Sequence, residues 1–328
     1  MTPWPTRCGR TPGATGLIDR ESPAASREGR ETCAHHCRAG FRDLGIVYLT
    51  GISSKPVTVA VPPSHGSKPE AVSSELLHRC DENFIEAFRS VARSLPKSHI
   101  REHRGIVMIA SGIPGPEFNP VFITEPPPDP DSVLATSASF MSDAGIPSWR
   151  AVVFSACKST MEPAAHSAGL RPGAELPGMI LDPIPPRRAP LPLGFKVRPV
   201  KDRSLWATMV TVGMRGFGGA APRDPEDLLP FTEGKGWRGY VGFAGKTPVA
   251  TSIGFTHLGI GGVYFVATLP EFRGKGYGRA LTEWAAVDAR REGCRTSCLQ
   301  SSAMGYKVYA GMGYRTITSY SQWMAGSQ

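Results

Sequence analysis

Val266-Ala-Thr-Leu-Pro-Glu-Phe-Arg-Gly-Lys-Gly-Tyr-Gly-Arg-Ala-Leu281 is the stretch that decides how this chain is read. A β-branched run ends at Thr268, a short loop follows, and glycines at 274, 276 and 278 lead into a helical pattern. Such a turn suits an anion. The first amides of a helix lack internal partners and sit at the positive end of its dipole, and glycine lets a phosphate come close to the backbone. Arg273 and Lys275 add charge at the same place. Taken by itself, Gly-x-Gly-x-Gly equally describes a loop whose glycines merely turn the chain, so the surroundings have to decide.

Spacing removes the other nucleotide motifs. Gly245-Lys-Thr247 resembles the end of a P-loop, but Tyr240 stands where its first glycine is needed, and Thr247 runs into Pro248 and a strand instead of a helix. Gly274, Gly276 and Gly278 alternate strictly, unlike the Gly-x-Gly-x-x-Gly of dinucleotide sites, and no acidic residue follows a strand about 20 positions on. The chain also lacks a His-Glu-x-x-His zinc helix and a Gly-x-Ser-x-Gly nucleophile elbow.

Around the loop, periodicity predicts an α/β domain. Phe195–Val200 is a strand, Leu205–Met214 an apolar helix, and Trp237–Phe243 and Pro248–His257 a hairpin. Gly262–Thr268 is a further strand, Gly278–Arg291 a helix, Arg295–Gln300 a strand, Met304–Gly311 a short helix and Arg315–Met324 a last strand. Before this domain, Leu76, Leu77, Phe84, Ile85, Phe88, Val91 and Leu95 recur at helical spacing behind a Ser73 or Ser74 cap. Strands at Ile106–Ala110, Val121–Ile123 and Arg150–Phe154 then alternate with a helix at Ser132–Ala144. The expected organisation is a disordered leader over 1–72, a first domain over 73–182, a Pro-rich linker over 183–193 and a second domain over 194–328. Sixteen of the 31 prolines fall between Pro114 and Pro192, which lengthens the loops and marks the linker.

The 328 residues, 41% hydrophobic and 20% charged, are enough for two cores. No apolar run is long enough for a membrane span, and seven scattered cysteines fit reduced thiols better than a disulfide scaffold, so a cytoplasmic protein with no membrane partner is expected. Cys33-Ala-His-His-Cys37 has no second ligand pair after it, so no metal is expected. The net charge of +9 is uneven: residues 1–70 carry +3, 71–190 carry −2 and 191–328 carry +8. That excess could serve nucleic acid, but its basic residues are dispersed and the densest group lies in the glycine loop.

Arg273-Gly-Lys-Gly-Tyr-Gly278 resembles the Arg/Gln-x-x-Gly-x-Gly/Ala segment with which GNAT-type N-acetyltransferases bind the pyrophosphate of acetyl-CoA. Ser302-Ala-Met-Gly-Tyr-Lys-Val-Tyr-Ala-Gly-Met-Gly-Tyr314 is similar to the helix of that family ending in Tyr-x-x-x-Gly-Phe, with Ser302 where Asn is frequent. The resemblance spans Phe195 to Met324. It implies a GNAT-like acyl-CoA N-acyltransferase fold, an α/β arrangement (α+β mixed sheet) with the sheet splayed between the strand ending at Thr268 and the strand over 295–300. It further implies acetyl-CoA as acetyl donor, contacted by Val266 and Thr268 along the pantetheine arm and by Arg273, Gly274, Lys275, Gly276, Tyr277, Gly278, Arg279 and Ser302. Tyr309 falls at the position of the general acid that protonates the leaving thiolate. The implied acceptor is a small-molecule amine or a peptide amino terminus, in a cleft built by the loop around Gly213–Gly236 and the C-terminal strands. No Asp or Glu lies on the two strands beside the splay, which leaves His257 or Tyr264, through water, as candidate bases.

An internal echo extends the resemblance. Ala164-Ala-His-Ser-Ala-Gly-Leu-Arg171 aligns with Val308-Tyr-Ala-Gly-Met-Gly-Tyr-Arg315, Gly169 on Gly313, which puts Ala165 at the place of Tyr309. Where the glycine loop would stand, the first copy has Thr124-Glu-Pro-Pro-Pro-Asp-Pro-Asp131, whose carboxylates repel a pyrophosphate. The first domain is therefore expected to be a GNAT-like lobe without a cofactor site. The function expected is N-acetyl transfer, with a non-catalytic acyl-CoA-binding module as the alternative. Residues 1–70 hold too few periodic apolar residues to offset the entropy of ordering, so a chain beginning at Ser73 should keep its acetyl-CoA-induced thermal shift. Insolubility or loss of that shift would refute the expectation.

Overall fold

Ser73 accepts the Leu76 amide hydrogen at 3.2 Å and so starts α1 (Ser74–Arg93), an amphipathic helix that buries Phe84, Ile85 and Phe88. The structure, a computed structural model, describes residues 72–225 and 236–326. The Cys33-to-Cys37 run and nearly all of the expected leader lie outside them. After α1 come β1 (His99–His103), β2 (Ile106–Ala110), β3 (Pro120–Ile123), α2 (Pro130–Asp143), β4 (Trp149–Val153), α3 (Lys158–Ser167), the short β5 (Arg171–Pro172) and β6 (Leu176–Leu181). The second half holds β7 (Phe195–Pro199), α4 (Arg203–Gly216), β8 (Trp237–Ala244), β9 (Thr247–His257), β10 (Ile260–Thr268), α5 (Tyr277–Arg291), β11 (Thr296–Gln300), α6 (Ala303–Ala310) and β12 (Arg315–Ala325). From α1 and again from α4 the order is helix, three strands, helix, strand, helix, strand, interrupted in the first copy only by β5.

All strands join one sheet in the order β1-β2-β3-β4-β12-β6-β11-β10-β9-β8-β7, with β5 alongside β12. Its parallel pairs are β3 with β4 and β10 with β11, each bridged by a helix, α2 or α5. The closing strands are exchanged. β6 leaves the first half to pair with β11, β12 leaves the second to pair with β4, and the two run antiparallel at the centre. Tyr320 of β12 thereby completes the core of the first half, its ring 4.8 Å from Phe154 and 5.4 Å from Phe84. The chain boundary at 182/183 is thus no boundary in the sheet.

The Pro-rich segment over 183–193 is packed on the second half: Ile184 is buried and its N–H donates to the Arg295 carbonyl at 2.9 Å, while Arg188 pairs with Asp288 and lies 3.8 Å from the Trp284 ring centroid. One expectation needs correction. Gly213 does not open a loop, because α4 continues to Gly216. A Cβ at Gly213 would stand 2.0 Å from the Phe265 ring, so this glycine lets the helix cross β10 closely. The remainder of the expected acceptor loop, 226–235, lies outside the described residues. Strands β1 and β6 carry little sequence signal, because the first has Ile100 as its one apolar residue and the second is interrupted by Pro177 and Gly178.

Asn83 of α1 fastens the halves together. It is fully buried, donates to the carbonyls of Ile260 at 3.0 Å and Phe255 at 3.3 Å, and accepts from the Tyr264 hydroxyl at 2.6 Å. Asn83→Ala strands these groups in a dry site, so a loss of roughly 2–4 kcal/mol in urea unfolding is expected. An unchanged midpoint would show that water or a neighbour replaces the amide.

Candidate active site

Strands β10 and β11 pair only from Ile260↔Thr296 to Gly262↔Cys298. Beyond that point β10 bulges between Tyr264 and Ala267, with Phe265 at φ 53°, and Val263–Thr268 diverge from β11. The equivalent pair in the first half does not open. β3 and β4 stay in register from Pro120↔Arg150 to Ile123↔Val153, and the Phe154 N–H continues the ladder to the Ile123 carbonyl at 3.1 Å.

The helix that follows the open strand presents bare amides. Gly276 is the N-cap of α5 at φ 77°, no side chain caps it, and Gly274 also has φ 77°. A Cβ on Gly278 would lie 3.6 Å from Thr268 Oγ1 and 3.8 Å from Val266 Cγ1, so the first turn of α5 rests on the free edge of β10. The first half is built the opposite way. Asp129 caps α2 by accepting the Ser132 amide hydrogen at 2.9 Å, and Pro130 removes another donor. A carboxylate already occupies the place an anion would take.

Several side chains expected at the cofactor have other partners. Arg273 Nη2 donates to the Gly216 carbonyl at 2.7 Å and its Nε to the Thr268 carbonyl at 3.2 Å, which ties the loop to the end of α4. Tyr277 is buried and stacked on Phe195, centroids 4.1 Å apart, so only its backbone faces the loop. Arg279 donates to the Gly311 carbonyl at 3.1 Å, and Ser302 caps α6 by accepting the Gly305 amide hydrogen at 3.2 Å. Lys275 stays exposed, its Nζ 5.2 Å from the Phe272 ring centroid.

Tyr309 of α6 is half-buried, its ring laid over Gly305 and its centroid 6.0 Å from that of Tyr314. Burial pushes its hydroxyl up to about 12, with the Thr282 hydroxyl beside it working the other way. The same cap closes the two repeat helices. The Tyr314 N–H donates to the Tyr309 carbonyl at 3.0 Å and the Leu170 N–H to the Ala165 carbonyl at 3.0 Å, with Gly313 and Gly169 both at positive φ. Ala165 therefore stands where Tyr309 does, with no hydroxyl to give.

Neither candidate base is placed for the task. His257 lies beside the hairpin turn at the closed end of β10 and stacks on Phe255. Tyr264 donates to Asn83, and burial pushes its hydroxyl well above the ordinary phenol range. Behind the bulge, on the α1 side, a cavity of about 50 Å³ is walled by apolar groups including Phe84, Phe88, Trp237 and Phe265. Such walls offer nothing to a phosphate.

A family model described as acetyltransferase (GNAT) domain matches residues 235–316. These residues form a GNAT domain. They carry the hairpin, the diverging strand, the uncapped helix and Tyr309, and the fold agrees. A GCN5-related N-acetyltransferase from Kribbella flavida superposes with a TM-score of 0.58 at 15% identity, over 76% of this chain and 96% of that one. A functionally unknown conserved protein from Staphylococcus epidermidis gives 0.53 at 10% identity, over 70% and 95%. A GCN5-related N-acetyltransferase from Sphaerobacter thermophilus gives 0.50 at 16%, over 76% and 90%. No protein of curated function matches in sequence. Among the described residues, no helix is long and apolar enough to cross a membrane, and no cluster of three or more His, Cys, Asp or Glu could hold a metal.

Proposed function

We propose that the GNAT domain transfers the acetyl group of acetyl-CoA to a primary amine by direct attack, and that the first half is a GNAT-like lobe without a cofactor site. The observation that carries this is the contrast between the two forks: one diverges beside uncapped helix amides, the other stays paired beside Asp129. The amides of Gly274 to Gly278 would hold the pyrophosphate, with Lys275 adding charge. Val266 and Thr268, on the free edge of β10, would hold the pantetheine arm through their backbone. Arg273, Tyr277, Arg279 and Ser302 support this cradle through their side chains' own bonds, holding the loop, the helix start and α6 in place.

Tyr309 would act as general acid toward the departing sulfur, remaining protonated at any ordinary pH. The acceptor is a small-molecule amine or a peptide amino terminus. Free-thiol release from acetyl-CoA, measured against a panel of small amines, polyamines, aminoglycosides and peptides, tests the proposal. Turnover with at least one class is expected. Tight acetyl-CoA binding without turnover of any would make the chain an acyl-CoA-binding module.

A further inference from the structure

Direct attack requires a neutral amine, and the strands beside the fork carry no carboxylate to take its proton. Resting on the acetyl-transfer reading, we propose that the first lobe supplies the acceptor: Asp81 of α1, relayed by the Tyr320 hydroxyl, takes the proton the amine sheds. Tyr320 donates to Asp81 Oδ1 at 2.6 Å. Its ring lies over Gly178, where a Cβ would come within 3.2 Å of the hydroxyl. Gly178 is the ladder partner of Gln300, the last residue of β11, and directly paired residues share a face of the sheet. Cys298, two residues before Gln300, lies with Cys80 and Ile180 under α1. Asp81, Tyr320 and Gln300 therefore stand together on the α1 face where β10 has just left β11. The uncapped helix and Tyr309 occupy the other face, so the two proton-handling groups flank the fork from opposite sides.

The exchange of closing strands makes this possible, because Tyr320 comes from the last strand of the second half and Asp81 from the first helix of the first half. Tyr320 is buried, so an ammonium substrate at the fork passes one proton to Tyr320 Oη through water while Tyr320 passes its own to Asp81. The freed nitrogen pair attacks the thioester carbonyl, the C–N bond forms and the C–S bond breaks. Sulfur takes the Tyr309 proton, and the nitrogen's second proton restores Tyr309. Asp81 then discharges to solvent past the exposed His78 one turn earlier.

Burial pushes Asp81 up to about 6, against the lowering by its Tyr320 hydrogen bond and by His78, with Glu82 adding to the rise. Cys298, on β11 beneath α1, is the other titratable group facing it. The carboxylate is available above that value, so kcat/KM should fall as pH drops through about 6. Asp81→Asn keeps the shape and the bond to Tyr320. It should lower kcat/KM near neutral pH by about 10²-fold or more and abolish the acid limb, with acetyl-CoA affinity unchanged. Its Tm should hold or rise, because burial opposes the charge removed. Tyr320→Phe should lower the rate as well while keeping the carboxylate, and Asp81→Glu should restore part of it. An Asp81→Asn protein with the wild-type rate, or a slower one with the limb intact, overturns the relay while the acetyl-transfer reading stands. A wild-type protein that turns over no amine overturns both.

Discussion

Gly276→Glu is expected to lose acetyl-CoA binding by more than 100-fold in calorimetry while the domain stays folded, because helix dipole and amides would face a fixed carboxylate instead of a phosphate. Room for the side chain exists, since the nearest atom to a Cβ at this position is Pro192 Cγ at 3.7 Å. The cost to the fold is the left-handed backbone, φ 77°, which penalises any side chain by about 1–2 kcal/mol. Gly276→Ala incurs that same penalty without the charge and should bind far better than Gly276→Glu, which separates backbone strain from repulsion. The first lobe already carries such an arrangement, with Asp129 at the cap of α2. Wild-type affinity in Gly276→Glu would place the cofactor elsewhere in the chain.

The strand, glycine loop and helix start over 262–281 were legible because their signals are local: glycines at fixed offsets, a strand before and a helix after. The divergence of β10 from β11 was implied by the family resemblance alone and not by the residues of the strand. It depends on a bulge at Phe265, a non-glycine residue at φ 53°, and nothing in Gly262-Val-Tyr-Phe-Val-Ala-Thr268 distinguishes a bulged strand from a regular one. For Arg273 and Tyr277 position was legible but side-chain partners were not, since one side chain ties the loop to α4 and the other packs on Phe195. Helical periodicity picked out the apolar face of α1 and passed over Asp81 and Asn83, because their partners Tyr320 and Tyr264 are more than 150 residues away in sequence. Strand exchange left no trace for the same reason: β6 and β12 pair by backbone hydrogen bonds, which any sequence can make.

Strand exchange also gives a physical reason for the first half to be present. The domain's fork needs β6 along β11 to be a closed sheet on that side, and β12 needs β4. Removing residues 73–182 would expose one edge of β11 and leave β12, with Tyr320 and Trp323, without a core to enter.

Tyr309→Phe is the change that separates an enzyme from a binding module, with kcat expected to fall by about 10²–10⁴-fold, or roughly 3–5 kcal/mol of transition-state stabilisation. The phenyl ring keeps its place over Gly305 and beside Tyr314, so folding and acetyl-CoA affinity should hardly move. Only a proton needed in the transition state is gone, and such a loss appears in kcat and kcat/KM together. Because burial holds the hydroxyl near 12, the donor is loaded throughout the working range and its loss should be uniform with pH. That uniformity distinguishes it from Asp81→Asn, whose effect disappears as the carboxyl is protonated. A Tyr309→Phe protein at the wild-type rate with the best amine would make Tyr309 a packing residue and leave water to protonate the thiolate. If both proteins bind acetyl-CoA and neither releases thiol with any amine, the fork is a place where an acyl-CoA is held and the chemistry belongs to something else.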